Sequence, residues 1–259
     1  MRVEIIEVDE NSVDDMISVC NPPTISEAYK KGVEIKRVWL LEMLRTYGDV
    51  GLVAYFNGKS AAQLLTYPEK ADPTSLKREN VLVINCIYNP LLEAQRKGIA
   101  RTMVEKLIEK ARGKYEFLVT HAFETGEFLS QAEFFKRLGF REITKEDLYY
   151  SFSGRELKEP YSGFWKEGEE YRRSDEDIGR IMIFYEPVCP FSYLWAYRAK
   201  EIVKEINLKL KIEVLNAWEH PEEFVSRGRN WMLVNGIPIR SLPIEKEKFR
   251  EELMIAIKT

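Results

Sequence analysis

The sequence is poor in cysteine, histidine and glutamine. Its 259 residues hold three cysteines, two histidines and three glutamines. Cysteines at positions 20, 86 and 189 are too few and too scattered for a disulfide framework, and an odd, sparse count points to a reducing, cytoplasmic compartment. With no Cys-x-x-Cys pair and only His121 and His220 available, a zinc site built from cysteine and histidine is excluded. No apolar run approaches the ~18 residues of a membrane span. The opening MRVEIIEVDENSVDD has no charged-then-apolar leader pattern and turns acidic early. Basic residues are not in excess: 39 Lys and Arg stand against 42 Asp and Glu, a formal charge of −3. That removes the electrostatic case for a nucleic-acid partner. There is no internal repeat, no low-complexity tract, no phosphate loop ending in Gly-Lys-Ser/Thr and no Gly-x-Gly-x-x-Gly. What remains is 45% hydrophobic, enough for an ordinary core. The 31% charged content, with so little glutamine, leans towards proteins of hot environments.

The periodicities predict a mixed α/β chain. A strand covers 3–8 and a short helix follows Ser12. A long helix over 26–47 turns Ile35, Val38, Trp39 and either Leu41 or Leu44 inward, and Gly48-Asp49 ends it. Strands over 50–56 and 60–67 form a hairpin through Asn57-Gly58, whose residues suit the positive φ angles of a tight turn. An apolar strand over 80–88 leads into a helix over 95–112, with Ile99, Met103 and Leu107 four apart. A strand over 115–123, a helix over 129–138 closed by Gly139, and strands over 140–143 and 148–152 complete this part. The stretch 153–179 is polar and without sustained period, a linker or strap. Beyond it the order is strand (180–185), helix (192–206), strand (209–216), a short helix (221–227), a hairpin through Asn235-Gly236, and a helix (244–257).

The junction INCIYNPLLEAQRKGIARTMV is the most informative stretch. Gln95, Arg96, Lys97, Gly98, Ile99, Ala100 and Arg101 open a helix soon after an apolar strand. The first N–H groups of a helix lack intrahelical acceptors and carry partial positive charge, so such an end can hold a diphosphate. Gly98 and Ala100 leave room for it, and Arg96 and Lys97 add charge. An ordinary surface helix with a basic first turn is the alternative. The segment resembles motif A of the GNAT acetyltransferases, [Gln/Arg]-x-x-Gly-x-[Gly/Ala], met by Gln95, Gly98 and Ala100. Together with Gly32, Lys36 and Trp39, Ile84-Asn85-Cys86, Phe128-Leu129-Ser130 and Gly139-Phe140, it is similar to GNAT proteins that carry a C-terminal YoaP-like domain. That domain would begin at Ile183-Phe184-Tyr185 and Cys189-Pro190-Phe191-Ser192, and its element order is that of a thioredoxin-like fold.

The resemblance implies a GNAT acyl-CoA acyltransferase fold over 1–155, a linker over 156–178 and a smaller thioredoxin-like α/β domain over 179–259. It implies acetyl-CoA as co-substrate and an amine, small-molecule or protein, as acceptor. The pantetheine arm would lie along Cys86, Ile87, Tyr88 and Asn89, with the diphosphate on the N–H groups of Arg96 to Ala100. Two departures stand out: many members place a tyrosine acid where this chain has Phe135, and the loop from Cys86 to Gly98 is slightly long.

An amine attacking a thioester must lose a proton. His121 and Glu124, in and after the strand that follows motif A, are the candidate bases; their alternatives are a satisfied strand-end histidine and a solvated loop carboxylate. Cys86 either lines the acyl site or is a small buried hydrophobe. Cys20, at a helix end, reads as packing. Cys189 precedes Pro190 at a helix start, where a thiolate is favoured. Ser192 replaces the second thiol of a dithiol motif, and no proline stands where a thioredoxin active site would face one. Trp195, Tyr197, Trp218 and Trp231 could line a cleft or fill a core. The rival functions are a CoA-binding regulatory module with little turnover and a thiol-dependent protein using Cys189.

Overall fold

A computed structural model describes residues 2–21, 24–122, 130–163, 171–206 and 210–258. The chain divides into two compact units: Met1–Pro23 with Arg37–Ser162, and Thr24–Lys36 with Gly163–Thr259. Among the described residues no helix is long and apolar enough to cross a membrane.

The first unit is built on a seven-stranded sheet. Its strands are β1 (Val3–Glu7), β2 (Gly51–Phe56), β3 (Lys59–Pro68), β4 (Val81–Tyr88), β5 (Phe117–His121), β6 (Arg141–Glu142) and β7 (Asp147–Ser151). They lie in the order β1-β2-β3-β4-β5-β7-β6, and every neighbouring pair is antiparallel except β4 and β5. The hairpin between β2 and β3 turns at Asn57 (φ 50°) and Gly58 (φ 82°), the left-handed pair that Asn-Gly supplies. Helices are α1 (Val13–Ser18), the C-terminal part of α2 (Glu27–Tyr47), α3 (Ile99–Ala111) and α4 (Gln131–Lys136). Ile99, Met103, Val104, Leu107 and Ala111 bury one stripe of α3 in a core with Leu52, Ala54, Leu64, Leu82 and Ile84. Each large side chain so removed from water contributes about 1.5–3 kcal/mol.

The helix expected over 95–112 starts four residues later than its composition suggested. Leu92–Ala94 makes one 3₁₀ turn, and Arg96 (φ 57°) and Gly98 (φ 77°) are both left-handed, which no helix tolerates. Gly139 (φ 90°) does follow α4, as expected, and Ser130 caps the start of that helix by accepting from the Glu133 N–H at 3.4 Å. Leu129, the expected first residue of that helix, and Phe128 of the resemblance motif lie outside the described residues.

The second unit holds β8 (Arg180–Tyr185), β9 (Lys211–Asn216), β10 (Met232–Val234) and β11 (Ile237–Pro238) in the order β11-β10-β8-β9, with β8 and β9 parallel. Helices α5 (Pro190–Glu205), α6 (Pro221–Ser226) and α7 (Lys246–Lys258) pack on it. Phe249, Leu253 and Ala256 of α7 meet Ile181, Ile183 and Met232 of the sheet. The first turns of α2, up to Lys36, belong here too, although the sequence reading grouped them with the first domain. The reason is local. A Cβ on Gly32 would come within 2.4 Å of the Pro190 carbonyl oxygen, so only glycine admits that approach. Tyr29, one turn before it, rests on Phe191 with ring centres 5.4 Å apart.

Candidate functional site

The parallel ladder between β4 and β5 is short. It runs from Val81–Phe117 to Ile84–Thr120 and stops, while β4 continues to Tyr88. The next residue of β5, His121, pairs with Asp147 of β7 on its other side. On its far edge β4 stays with β3, but through a bulge: Leu65 faces Cys86 and Thr66 faces Ile84, so Asn85 is the extra residue. The bulge falls at the first position past the last β4–β5 rung. Past that rung no β4–β5 pairing continues among the described residues, which leaves a gap in the ladder where the bulge bends β4.

The gap leads into the loop before α3. Two predicted ligand residues brace that loop: the Asn89 amide donates to the Ala94 carbonyl (3.3 Å), and the Gln95 amide donates to the Asn89 carbonyl (3.1 Å). Gly98 is the N-cap of α3 and no side chain caps the end. The helix start is tied by Thr102, whose N–H and hydroxyl reach the Gly98 carbonyl at 3.0 and 3.2 Å. Arg96, Lys97 and Gly98 are exposed, and a Cβ on Gly98 would meet nothing within 4 Å. Among the described residues neither Arg96 nor Lys97 forms an ion pair; Arg101 does, with Glu105 at 2.8 Å. Ile99 is buried in the core, Ala100 is half-buried, and Ile87 is partly buried against the same core. An uncapped, cationic helix start with open space over its glycine can accept an anion.

His121 stands at the gap on the β5 side. Its Nδ1 lies 3.0 Å from Asp147 Oδ1, and its Nε2 lies 3.7 Å from Glu146 Oε2. Asp147 is buried and itself held, accepting from the Thr144 hydroxyl at 2.8 Å. A carboxylate at Nδ1 fixes that nitrogen as the N–H and leaves Nε2 as the basic one. Glu124, the other candidate base, lies outside the described residues.

On the β4 side Asn85 donates to the Tyr67 hydroxyl at 3.2 Å, and Tyr67 lies 2.9 Å from the Tyr161 hydroxyl. Tyr161 donates to Asp72, and the Thr74 hydroxyl reaches the same carboxylate at 2.7 Å. Burial, followed by the Asp72 charge, raises the Tyr161 phenol well above its ordinary range. Cys86 and Cys20 share one partner: the Gln63 amide nitrogen lies 3.6 Å from the first sulfur and 2.9 Å from the second.

Asn85, Asp147, Tyr67, Tyr161 and Asp72 were not read as site residues from the sequence, where Asn85 entered only through the Ile84-Asn85-Cys86 resemblance. Asn85 carried one signal, a polar residue inside an apolar run. Asp147 meets His121 only through pairing of strands 26 residues apart, which no local pattern encodes. Phe135, at the position of the absent tyrosine, is fully buried and packs on Phe134 and Phe140 with ring centres 5.1 and 5.0 Å away.

In the second unit Cys189 is the partly exposed N-cap of α5, followed by Pro190. The Ser192 hydroxyl accepts from the Glu186 N–H at 3.0 Å. No cis peptide bond occurs among the described residues. The aromatics divide: Trp231 stacks on Phe249 in the core, Arg198 covers Trp195, and Tyr197 is exposed. Among the described residues no group of three His, Cys, Asp or Glu side chains could hold a metal ion. A surface depression of about 380 Å³ lined by Arg2, Glu4, Tyr55, Asn57 and Gly58 holds none of the predicted site residues. Burial there pushes the Tyr55 phenol up to about 12.

No family model matches the sequence, and no curated protein matches it. Solved structures that match part of the chain include a GNAT family acetyltransferase from Brucella melitensis in complex with acetyl-CoA, 15% identical, covering 62% of this chain and 94% of that one with a TM-score of 0.42. Another is PaiA N-acetyltransferase from Thermoplasma acidophilum in complex with coenzyme A, 15% identical over 59% of this chain and 100% of that one, TM-score 0.44. A third is diaminobutyrate acetyltransferase EctA from Paenibacillus lautus, 12% identical over 57% of this chain and 92% of that one, TM-score 0.39.

Proposed function

We propose that the first unit is an N-acetyltransferase that binds acetyl-CoA and passes its acetyl group directly to an amine. One observation carries this reading: the β4–β5 ladder ends at Ile84 and Thr120 while β4 runs on to Tyr88 and into an uncapped, cationic helix start. A slot between strands, continuous with an anion seat, suits a long thin ligand with a diphosphate. The arm would follow Cys86 to Asn89, and the diphosphate would meet the N–H groups of Arg96 to Ala100, with Arg96 and Lys97 as counter-charge and Arg101 nearby. Asn89 and Gln95 serve by shaping the loop rather than by touching the phosphates. The bound thioester supplies an acyl carbon open to attack.

His121 is the base. Its Nε2 takes the proton that the amine nitrogen loses as the new C–N bond forms and the C–S bond breaks, and Asp147 stabilises the imidazolium that results. The departing thiolate is protonated by solvent, because Phe135 has no proton to give. The acceptor is a small-molecule or protein amine.

The second unit is read as a thioredoxin-like domain, supported by its β11-β10-β8-β9 order in which β8 and β9 are parallel and joined through α5. Ser192 beside Cys189 leaves it without a resolving thiol, so no dithiol chemistry is assigned to it.

The test is calorimetric titration of the full chain with CoA, together with thiol release from acetyl-CoA across a panel of amines. Binding with amine-dependent release is expected. Binding without release for any amine would favour a CoA-binding regulatory module, and absence of binding would end the reading.

A further inference from the structure

Asn85 occupies a singular place, being both the bulged residue of β4 and the first beyond the last β4–β5 rung. Behind it runs a buried hydrogen-bonded chain through Tyr67 and Tyr161 to Asp72, which are 0%, 6% and 1% exposed. The other oxygen of Asp72 takes the Thr74 N–H and hydroxyl at 2.8 and 2.7 Å.

Proton accounting fixes the direction of every link. A carboxylate only accepts, and a phenol has one proton to give. Tyr161 gives its proton to Asp72, so its oxygen accepts from Tyr67. Tyr67 has then spent its own proton, so towards that oxygen Asn85 can only donate, and it presents its NH₂. Flipping the amide would set the carbonyl oxygen against a phenol oxygen with no proton between them. Asn85 Oδ1 is therefore turned away from the chain, and no described residue donates to it. The fold asks for a donor at position 85 and nothing more. A hydroxyl would satisfy it. An amide brings, in addition, an oriented acceptor at the edge of the gap.

We propose that Asn85 is a ligand-positioning residue whose Oδ1 accepts an N–H from the molecule held between β4 and β5, with Tyr67, Tyr161 and Asp72 locking its orientation. This rests on the acetyl-transfer reading. The ligand chemistry is an N–H donor, which the acceptor amine carries and which the amide groups of the cofactor's arm also carry.

The test uses the full chain and the variant Asn85→Ser, which keeps a donor for Tyr67 and removes the presented carbonyl. Two assays separate the sources: calorimetry with CoA, and thiol release with spermidine, 2,4-diaminobutyrate and a lysyl peptide as acceptors. At least a ~10-fold weaker CoA Kd assigns the contact to the arm. An unchanged Kd with at least a ~10-fold higher KM for the amine and little change in kcat assigns it to the acceptor; tenfold is ~1.4 kcal/mol. If neither changes, the assignment is wrong. The chain is tested separately by the side-chain N–H signals of Asn85 in asparagine-labelled protein, identified by their loss in Asn85→Ser. Tyr161→Phe cuts the chain one residue beyond Tyr67, so these signals should move upfield as the remaining bond weakens. Signals that stay in place would overturn the chain. A wild-type protein that binds no CoA would remove the acetyl-transfer reading and the ligand role with it, while the amide signals would still decide the chain.

Discussion

Each unit contains a parallel strand pair whose first strand runs through a loop into a helix, and the two junctions differ in a way that explains why only one is a candidate site. In the second unit β8 and β9 pair along the whole of Arg180–Tyr185. Its helix α5 then starts at Pro190, which has no N–H to offer, and the Ser192 hydroxyl takes the Glu186 N–H. In the first unit the ladder ends at Ile84, and a bulge at Asn85 bends β4 as its partner goes elsewhere. Helix α3 begins at an uncapped glycine beside exposed Arg96 and Lys97. The same local order of elements gives a continuous ladder in one case and an interrupted one in the other. Neither helix start has a side-chain cap, so the deciding features are a broken ladder and a start that keeps its first N–H beside exposed cations, rather than the strand-loop-helix order itself.

Substitutions in the two units should separate along this line. The largest effect is expected at the base. His121→Gln should lower kcat for amine acetylation by roughly 10²–10⁴-fold with CoA affinity retained, and steady-state kinetics with calorimetry checks both halves. Next comes the anion seat. Gly98→Glu forces a side chain into a left-handed conformation, at ~1–3 kcal/mol of strain, and places a carboxylate over the diphosphate seat. CoA should bind roughly 100-fold more weakly, ~2.7 kcal/mol. The fold should survive, because the new Cβ meets nothing. The comparison breaks if the folded variant titrates like wild type.

A smaller effect, confined to the second unit, is expected from Gly32→Ala. The added methyl meets the Pro190 carbonyl oxygen, and the overpacking should cost about 1–3 kcal/mol in denaturant unfolding. CoA affinity should stay within about twofold, a shift below ~0.5 kcal/mol. The smallest effect belongs to Phe135→Tyr. The new hydroxyl would sit among Phe134 and Phe140. Acetylation should change less than tenfold, under ~1.4 kcal/mol of barrier. A hundredfold gain would mean that the site lacks only a proton donor.

The comparison also marks what could be read from residue order. Turn chemistry and periodicity located the hairpin at Asn57-Gly58, the Gly139 stop and the buried stripe of α3, because these depend on residues a few positions apart. The start of α3 was misplaced since a basic run reads as helix, while the left-handed angles at Arg96 and Gly98 depend on how the loop is braced by Asn89 and Gln95. The pairing of Gly32 with Pro190 was hidden for a related reason: a glycine in a helix announces close approach without saying to what. The electrostatic partners of the site were the least legible. His121 was visible as one of two histidines, but Asp147 reaches it through strand register, and the chain from Asn85 to Asp72 gathers residues from positions 67 to 161.

Hydrogen exchange of the full chain, with and without CoA, tests the central claim most directly. Protection on adding CoA should concentrate in peptides covering 85–101, where the strand leaves its partner and the helix start is uncapped, and peptides covering 186–192 should exchange unchanged. Protection at 186–192 with none at 85–101 would contradict the account, because the ligand would then have chosen the junction with the continuous ladder over the interrupted one.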